Sequence, residues 1–160
     1  MRKSILSIRG GAGVVESILG GRRYKRILEI GTYRGIGSAY MSQFCERIVT
    51  VDLKHGKMEK DRQVFDRFRL WETLGVKNID LFLVDGDKHK ADLIKTFDFD
   101  FAFVDGDHEG NAPRDDFELV KRCGAVLFHD YDGDNGVTRL VNSLPKEQVT
   151  VMDIFAFWQG

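Results

Sequence analysis

Five short apolar runs in this chain stop at acidic residues, and that repetition limits the possible folds more than any other feature. Residues 27–30 carry Glu29 into a glycine turn, and residues 47–53 reach Asp52. Residues 79–84 stop at Asp85-Gly86-Asp87, residues 99–104 at Asp105-Gly106-Asp107-His108, and residues 125–128 at His129-Asp130. Short runs of this kind, bounded by turn chemistry, read as buried strands. Helical patterns separate them. Residues 37–46 look helical, and 58–74 place apolar side chains at 64, 65, 68, 71 and 74, the spacing of an amphipathic helix closed by Gly75. Residues 90–97 form a brief helix. Pro113 opens another that reaches Cys123, with Asp115 and Asp116 in its first turn, and 137–144 is the last. Pro145 then leads to two strands in close succession, 149–154 and 155–158. Alternating strands and helices predict an α/β fold with a doubly wound, mostly parallel sheet.

A chain of 160 residues fits one domain, 1–160, with 1–23 as a lead-in segment and short helix. The lead-in holds a second glycine cluster, Gly10-Gly11-Ala12-Gly13, but no Lys-Ser or Lys-Thr follows, so it is not a phosphate loop. It reads as a flexible start and a short helix capped by Gly20-Gly21. The net charge is -1, which gives no long-range pull toward nucleic acid or acidic lipid. No apolar stretch approaches the roughly 20 residues that span a bilayer, and Met1-Arg2-Lys3-Ser4 does not start a signal peptide, so a cytoplasmic protein is expected. Cys45 and Cys123 match no metal spacing and read as reduced thiols. Twelve Phe residues point to an aromatic-rich core.

In open sheets, ligands bind beyond the carboxyl ends of the strands, where strand order reverses. Any one strand-end acid is ordinarily a turn residue or a helix cap. Acids at all five ends converge on one rim, and that pattern asks for a ligand. The first strand ends in Gly31-x-x-x-Gly35-x-Gly37, a turn on which a ligand can approach bare backbone at a helix start. Asp52 follows at the interval expected for an acid that grips a ribose diol. A dinucleotide site prefers Gly-x-Gly-x-x-Gly. The spacing here, with Glu29 beside the turn, suits a ligand with a positive amino-acid and sulfonium group instead.

Glu29-Ile-Gly-Thr-Tyr-Arg-Gly-Ile-Gly-Ser38 resembles motif I of the class I S-adenosylmethionine-dependent methyltransferases. Asp52 is similar to their ribose-binding acid. Phe103-Val-Asp-Gly-Asp-His108 and Leu127-Phe-His-Asp-Tyr131 resemble a subgroup of small bacterial O-methyltransferases that includes relatives of the macrocin and novobiocin sugar enzymes. The resemblance runs from about Tyr24 onward. It implies a Rossmann-like, seven-stranded sheet with an antiparallel C-terminal hairpin. It also implies that Gly31, Thr32, Tyr33 and Gly35 wrap the methionine part of the cofactor, that Glu29 supports its ammonium, and that Ser38 lies at the helix start. Asp52 would hold the ribose, Gly86 and Asp87 would flank the adenine, and Asp105 would lie where cofactor and acceptor meet.

The resemblance further implies a divalent metal, magnesium or manganese, at Asp105, His129 and Asp130. His129 stands where the sugar enzymes carry an acid, and an imidazole favours manganese, iron or zinc over magnesium. His55 and His89 fall in predicted loops and read as surface residues. His108 and His129 sit on the rim and, with Asp105, are the candidate catalytic groups. The expected reaction is an in-line displacement on a small hydroxylated acceptor, with a base or a metal activating the hydroxyl. A non-catalytic S-adenosylmethionine- or nucleotide-binding module is the alternative, as is a site completed by a second subunit in a homodimer. A nicotinamide oxidoreductase is disfavoured by the glycine spacing. Nucleic-acid methylation is disfavoured by the charge and by the lack of prolines beside Asp130-Tyr131.

Overall fold

The computed structural model describes residues 11–54 and 66–160. His55 and the first part of the helix expected over 58–74 lie outside the described residues. The elements are α1 (Ala12–Leu19), β1 (Tyr24–Ile30), α2 (Ile36–Met41), β2 (Cys45–Leu53), α3 (Arg67–Thr73), β3 (Ile79–Val84) and α4 (Asp87–Ile94). There follow β4 (Phe101–Val104), α5 (Ala112–Val120), β5 (Ala125–Phe128), α6 (Gly136–Ser143), β6 (Val149–Met152) and β7 (Phe155–Gln159). Short 3-10 turns extend α2 and α5, and a third, Lys146–Gln148, leads into β6. The fourth helix begins at Asp87, three residues earlier than its sequence pattern suggests, so His89 is on its first turn and not in a loop.

All seven strands form one sheet in the order β3-β2-β1-β4-β5-β7-β6. The first five pair in parallel, and β7 runs antiparallel to both β5 and β6. The expected architecture is thus the one observed: mostly parallel, doubly wound, ending in an antiparallel pair. Chain order reverses between β1 and β4, which lie side by side with Ile30 opposite Val104. The carboxyl ends of these two strands form the crevice in which such sheets take ligands.

Side chains alternate across each strand and divide the core in two. Leu28, Ile30, Val49, Val51, Val104 and Phe128 join the layer under α5 and α6. Ile27, Ile48, Phe101, Phe103, Leu127 and Phe155 pack on the other face with α1 and residues of α2. Phenylalanines supply the largest side chains fully buried in the sheet, as the composition suggests. The same alternation sends Glu29 toward α2, into the apolar layer with Ile27. No helix of the described residues is long and apolar enough to cross a membrane.

Candidate active site

The glycine turn after β1 is shaped by its neighbours. Gly31 has φ 92°, and a Cβ there would land on the carbonyl oxygen of Asp105, so the tips of β1 and β4 touch through a position that only glycine fills. Gly35 has φ 73°, and its missing Cβ would sit 2.8 Å from the Trp71 ring. A Cβ on Gly37 would lie 2.8 Å from Glu29 Oε1. Each glycine therefore admits a piece of protein. Tyr33, between them, holds the left-handed conformation (φ 43°) that ordinarily costs a non-glycine residue about 1–2 kcal/mol.

Ser38 lies in the first turn of α2, and Glu29 faces it from β1. Both are buried, and the Ser38 hydroxyl donates to Glu29 Oε2. Thr50, opposite Glu29 in the β1–β2 register, donates to the same oxygen at 2.5 Å. A hydroxyl has one proton, so the 2.6 Å contact between Thr32 and Thr50 must run from Thr32 to Thr50. The result is a buried relay, Thr32 to Thr50 to Glu29, met from the other side by Ser38. Burial pushes the Glu29 carboxyl up to about 8, although the two hydroxyl donors pull the other way. Thr50 was hidden in the sequence as an ordinary strand residue; only the strand register reveals its partner.

Asp52 sits at the tip of β2 and is already engaged. Its Oδ2 accepts the Tyr33 N–H at 3.1 Å and Arg67 Nη1 at 3.3 Å, and its Oδ1 accepts the Leu53 N–H at 2.9 Å. The expected adenine-side pair lies farther along the rim. Gly86 precedes α4 in an extended conformation, and Asp87 is 87% exposed and paired with Lys90 at 3.0 Å. Asp85 pairs with Lys54 at 3.0 Å.

Across the crevice, the tips of β4 and β5 bring together the three residues expected to form a metal site. Asp105, His129 and Asp130 each offer a ligand atom, all within 4.8 Å of one another. His129 Nδ1 lies 3.0 Å from Asp105 Oδ1 and 3.1 Å from Asp130 Oδ1. Neither contact has the direction of a hydrogen bond, and both imidazole nitrogens are buried without one. The phenyl rings of Phe103 and Phe155 wall the imidazole, with centroids at 6.5 and 5.0 Å. Burial lowers the affinity of His129 for a proton, whereas the two facing carboxylates raise it and prevail. A buried nitrogen without a hydrogen bond between two carboxylate oxygens is a donor set that fits a divalent ion of mixed nitrogen and oxygen preference.

Asp130 takes the left-handed region (φ 60°), and Asn135 braces it there. The Asn135 amide donates to the carbonyls of Asp130 at 2.7 Å and Asp132 at 2.9 Å, while its oxygen caps α6 through Thr138 N–H. His108, the third catalytic candidate, stands at the mouth with Nδ1 3.8 Å from Asp130 Oδ2. Sequence reading missed Arg67, Trp71 and Asn135. Trp71 counts in the sequence only as one apolar position of its helix, and Arg67, one turn earlier on the same face, carries no signal there.

A family model described as a methyltransferase domain matches residues 28–131, from the first strand through the tip of β5. The chain belongs to that family. Solved structures show the same fold at low identity. The O-methyltransferase TomG from Streptomyces achromogenes, involved in tomaymycin synthesis and determined in complex with SAM, is 19% identical with a TM-score of 0.62, over 97% of this chain and 82% of that one. An rRNA methylase from Streptococcus thermophilus is 14% identical, TM-score 0.57, over 96% and 98%. The YcgJ protein from Bacillus subtilis is 17% identical, TM-score 0.53, over 74% of this chain, which spans about half (49%) of that protein's length. No curated protein matches the sequence. The methyltransferase domain and its sheet expected from the sequence are both found.

Proposed function

We propose that this domain is an S-adenosylmethionine-dependent O-methyltransferase acting on a hydroxyl of a small molecule, with a sugar or related polyol as the favoured acceptor. One observation carries the reading. The groups suited to acceptor chemistry, Asp105, His129, Asp130 and His108, cluster at the tips of β4 and β5, directly across the switch point from the glycine turn and Asp52. The fold alone does not choose the acceptor, since the similar structures include both an O-methyltransferase and an rRNA methylase. A net charge of -1 and the resemblance of 103–108 and 127–131 to the sugar enzymes favour a small acceptor.

In this reading the nucleoside lies over β1 and β2, its ribose at Asp52 and its methionine part along residues 31–35. The sulfonium carbon is directed toward Asp105. Transfer needs alignment of donor and acceptor and removal of one proton. Asp105, Asp130 and His129 are the residues that would hold a divalent ion, and such an ion would supply Lewis acidity toward an acceptor hydroxyl. Asp105 orients the acceptor oxygen, and His108, at the mouth, accepts the proton at Nδ1 or Nε2. The walls of Phe103 and Phe155 exclude water from the His129 side.

Calorimetry with S-adenosylhomocysteine, followed by methyl transfer to hydroxylated acceptors in manganese, magnesium or chelator, tests the proposal. Binding lost in an Asp52→Ala variant, with turnover lost in Asp105→Ala, is the expected result. Binding of NAD and not of S-adenosylmethionine would overturn it. Tight cofactor binding with no turnover on any acceptor would favour a binding module.

A further inference from the structure

Helix α3 reaches over the glycine turn and takes hold of it at two carbonyls. Trp71 Nε1 donates to Gly35 O at 2.8 Å, and one turn earlier Arg67 Nη1 donates to Tyr33 O at 3.1 Å. The same Nη1 reaches Asp52 Oδ2 at 3.3 Å. Arg67 is 5% exposed, an unusual depth for a guanidinium unless its charge is answered, and Asp52 supplies that charge. Asp66 caps α3 by accepting the N–H groups of Phe68 and Arg69, which fixes where the helix, and therefore Arg67, begins.

The hydrogen bonds of Asp52 divide unevenly. A carboxylate offers about four acceptor positions, two on each oxygen. Among the described residues, Oδ2 receives Tyr33 N–H and Arg67, whereas Oδ1 receives only Leu53 N–H. The carboxylate is therefore held in one orientation, with acceptor capacity left on Oδ1. Arg67 also closes a ring with Tyr33, whose N–H goes to Asp52 and whose C=O accepts Arg67, so both polar backbone groups of this strained residue are fastened to the same pair.

We infer that Arg67 is the positioning residue for the ribose of the nucleoside cofactor: it locks Asp52 so that Oδ1 receives a ribose hydroxyl. The inference rests on the proposed nucleoside reading of the glycine turn and names the residue that makes the Asp52 contact work. Without the guanidinium, Asp52 rotates, Tyr33 loses its carbonyl partner, and the ribose hydroxyl meets a mobile acceptor. Both contacts run from the single nitrogen Nη1, so lysine at 67 keeps the charge and the donors but on a shorter, less rigid stem, and it restores only part of the effect.

The test is a ligand-based cycle on the full chain. Wild type, Arg67→Met and Arg67→Lys are titrated calorimetrically with S-adenosylhomocysteine and with its 2′,3′-dideoxy analogue, and folding is checked by circular dichroism and thermal unfolding. Arg67→Met is expected to weaken S-adenosylhomocysteine by about tenfold or more, the scale of a lost charge-assisted contact, and to weaken the dideoxy analogue by less than about threefold. Arg67→Lys falls between and serves in place of Arg67→Met if that variant does not fold. Equal weakening of both ligands assigns Arg67 a purely structural role and overturns the inference, as does unchanged binding of both. If wild type binds neither ligand, the nucleoside reading itself fails; if wild type binds and the variants match it, only the role of Arg67 fails.

Discussion

The two halves of the crevice are built on opposite principles. At the tips of β1 and β2 almost every polar group has a partner: Glu29 receives two hydroxyls, Asp52 three donors, and the turn carbonyls are taken by Trp71 and Arg67. At the tips of β4 and β5 the buried His129 nitrogens have no well-directed hydrogen bond, although two carboxylates stand within 3.1 Å of one of them. A saturated network is rigid and costs little to maintain, which suits a surface that holds a ligand in one pose. An unsaturated one carries a desolvation cost that a bound ion or acceptor relieves, which suits the half where bonds change.

That contrast can be broken from either side. The largest effect is expected at the unsaturated half: Asp105→Asn should lower methyl transfer by about a hundredfold or more while S-adenosylhomocysteine binding changes by only a few-fold. Comparable losses in both would mean that the halves are not separate. At the saturated half, Gly31→Ala should cost about 3 kcal/mol or more, because it combines a left-handed backbone with a collision at the Asp105 carbonyl. Urea denaturation would measure it, and a cost under about 1 kcal/mol would show that the two tips part easily.

Glu29 gives a pH test. Its pKa is about 8 in the fold against 4.5 in the free chain, so the native state binds more protons between those values. Its contribution to stability is therefore complete below about 4.5 and is lost as pH rises through 8. Denaturation midpoints should fall across that window in wild type and fall less in Glu29→Gln; parallel profiles would show that Glu29 stays ionised throughout. The smallest effect belongs to Asn135→Ala, which removes a helix cap and the brace on Asp130. We expect a loss of about 1 kcal/mol in thermal unfolding, with weaker manganese binding in titration. A stability loss with unchanged manganese affinity would separate the brace from the ligand set.

Much of this was legible in the chain. Strand ends at Leu53, Val84, Val104 and Phe128 follow from apolar runs meeting turn residues, and the closing pair of strands follows from its short connection. Convergence of Asp105, His129 and Asp130 was also legible, because parallel strands align their carboxyl ends on one side of the sheet. The burial of Glu29 is hidden in the sequence for a physical reason. The residue looks like a turn acid, yet strand alternation carries it inward beside Ile27, where Ser38 and Thr50 claim it. Arg67 could not be seen, because its partners Tyr33 and Asp52 lie 34 and 15 residues away and only the packing of α3 unites them. The spacing of 68, 71 and 74 marked that helix as amphipathic but said nothing of the cation on its inner face.

The buried relay behind the glycine turn has one more consequence. With its carboxyl raised to about 8, Glu29 is mostly uncharged at neutral pH, so the turn presents no bare anion to an approaching sulfonium. For the proposed cofactor, the charged donor and its neutral by-product would then meet nearly the same electrostatic landscape at this wall.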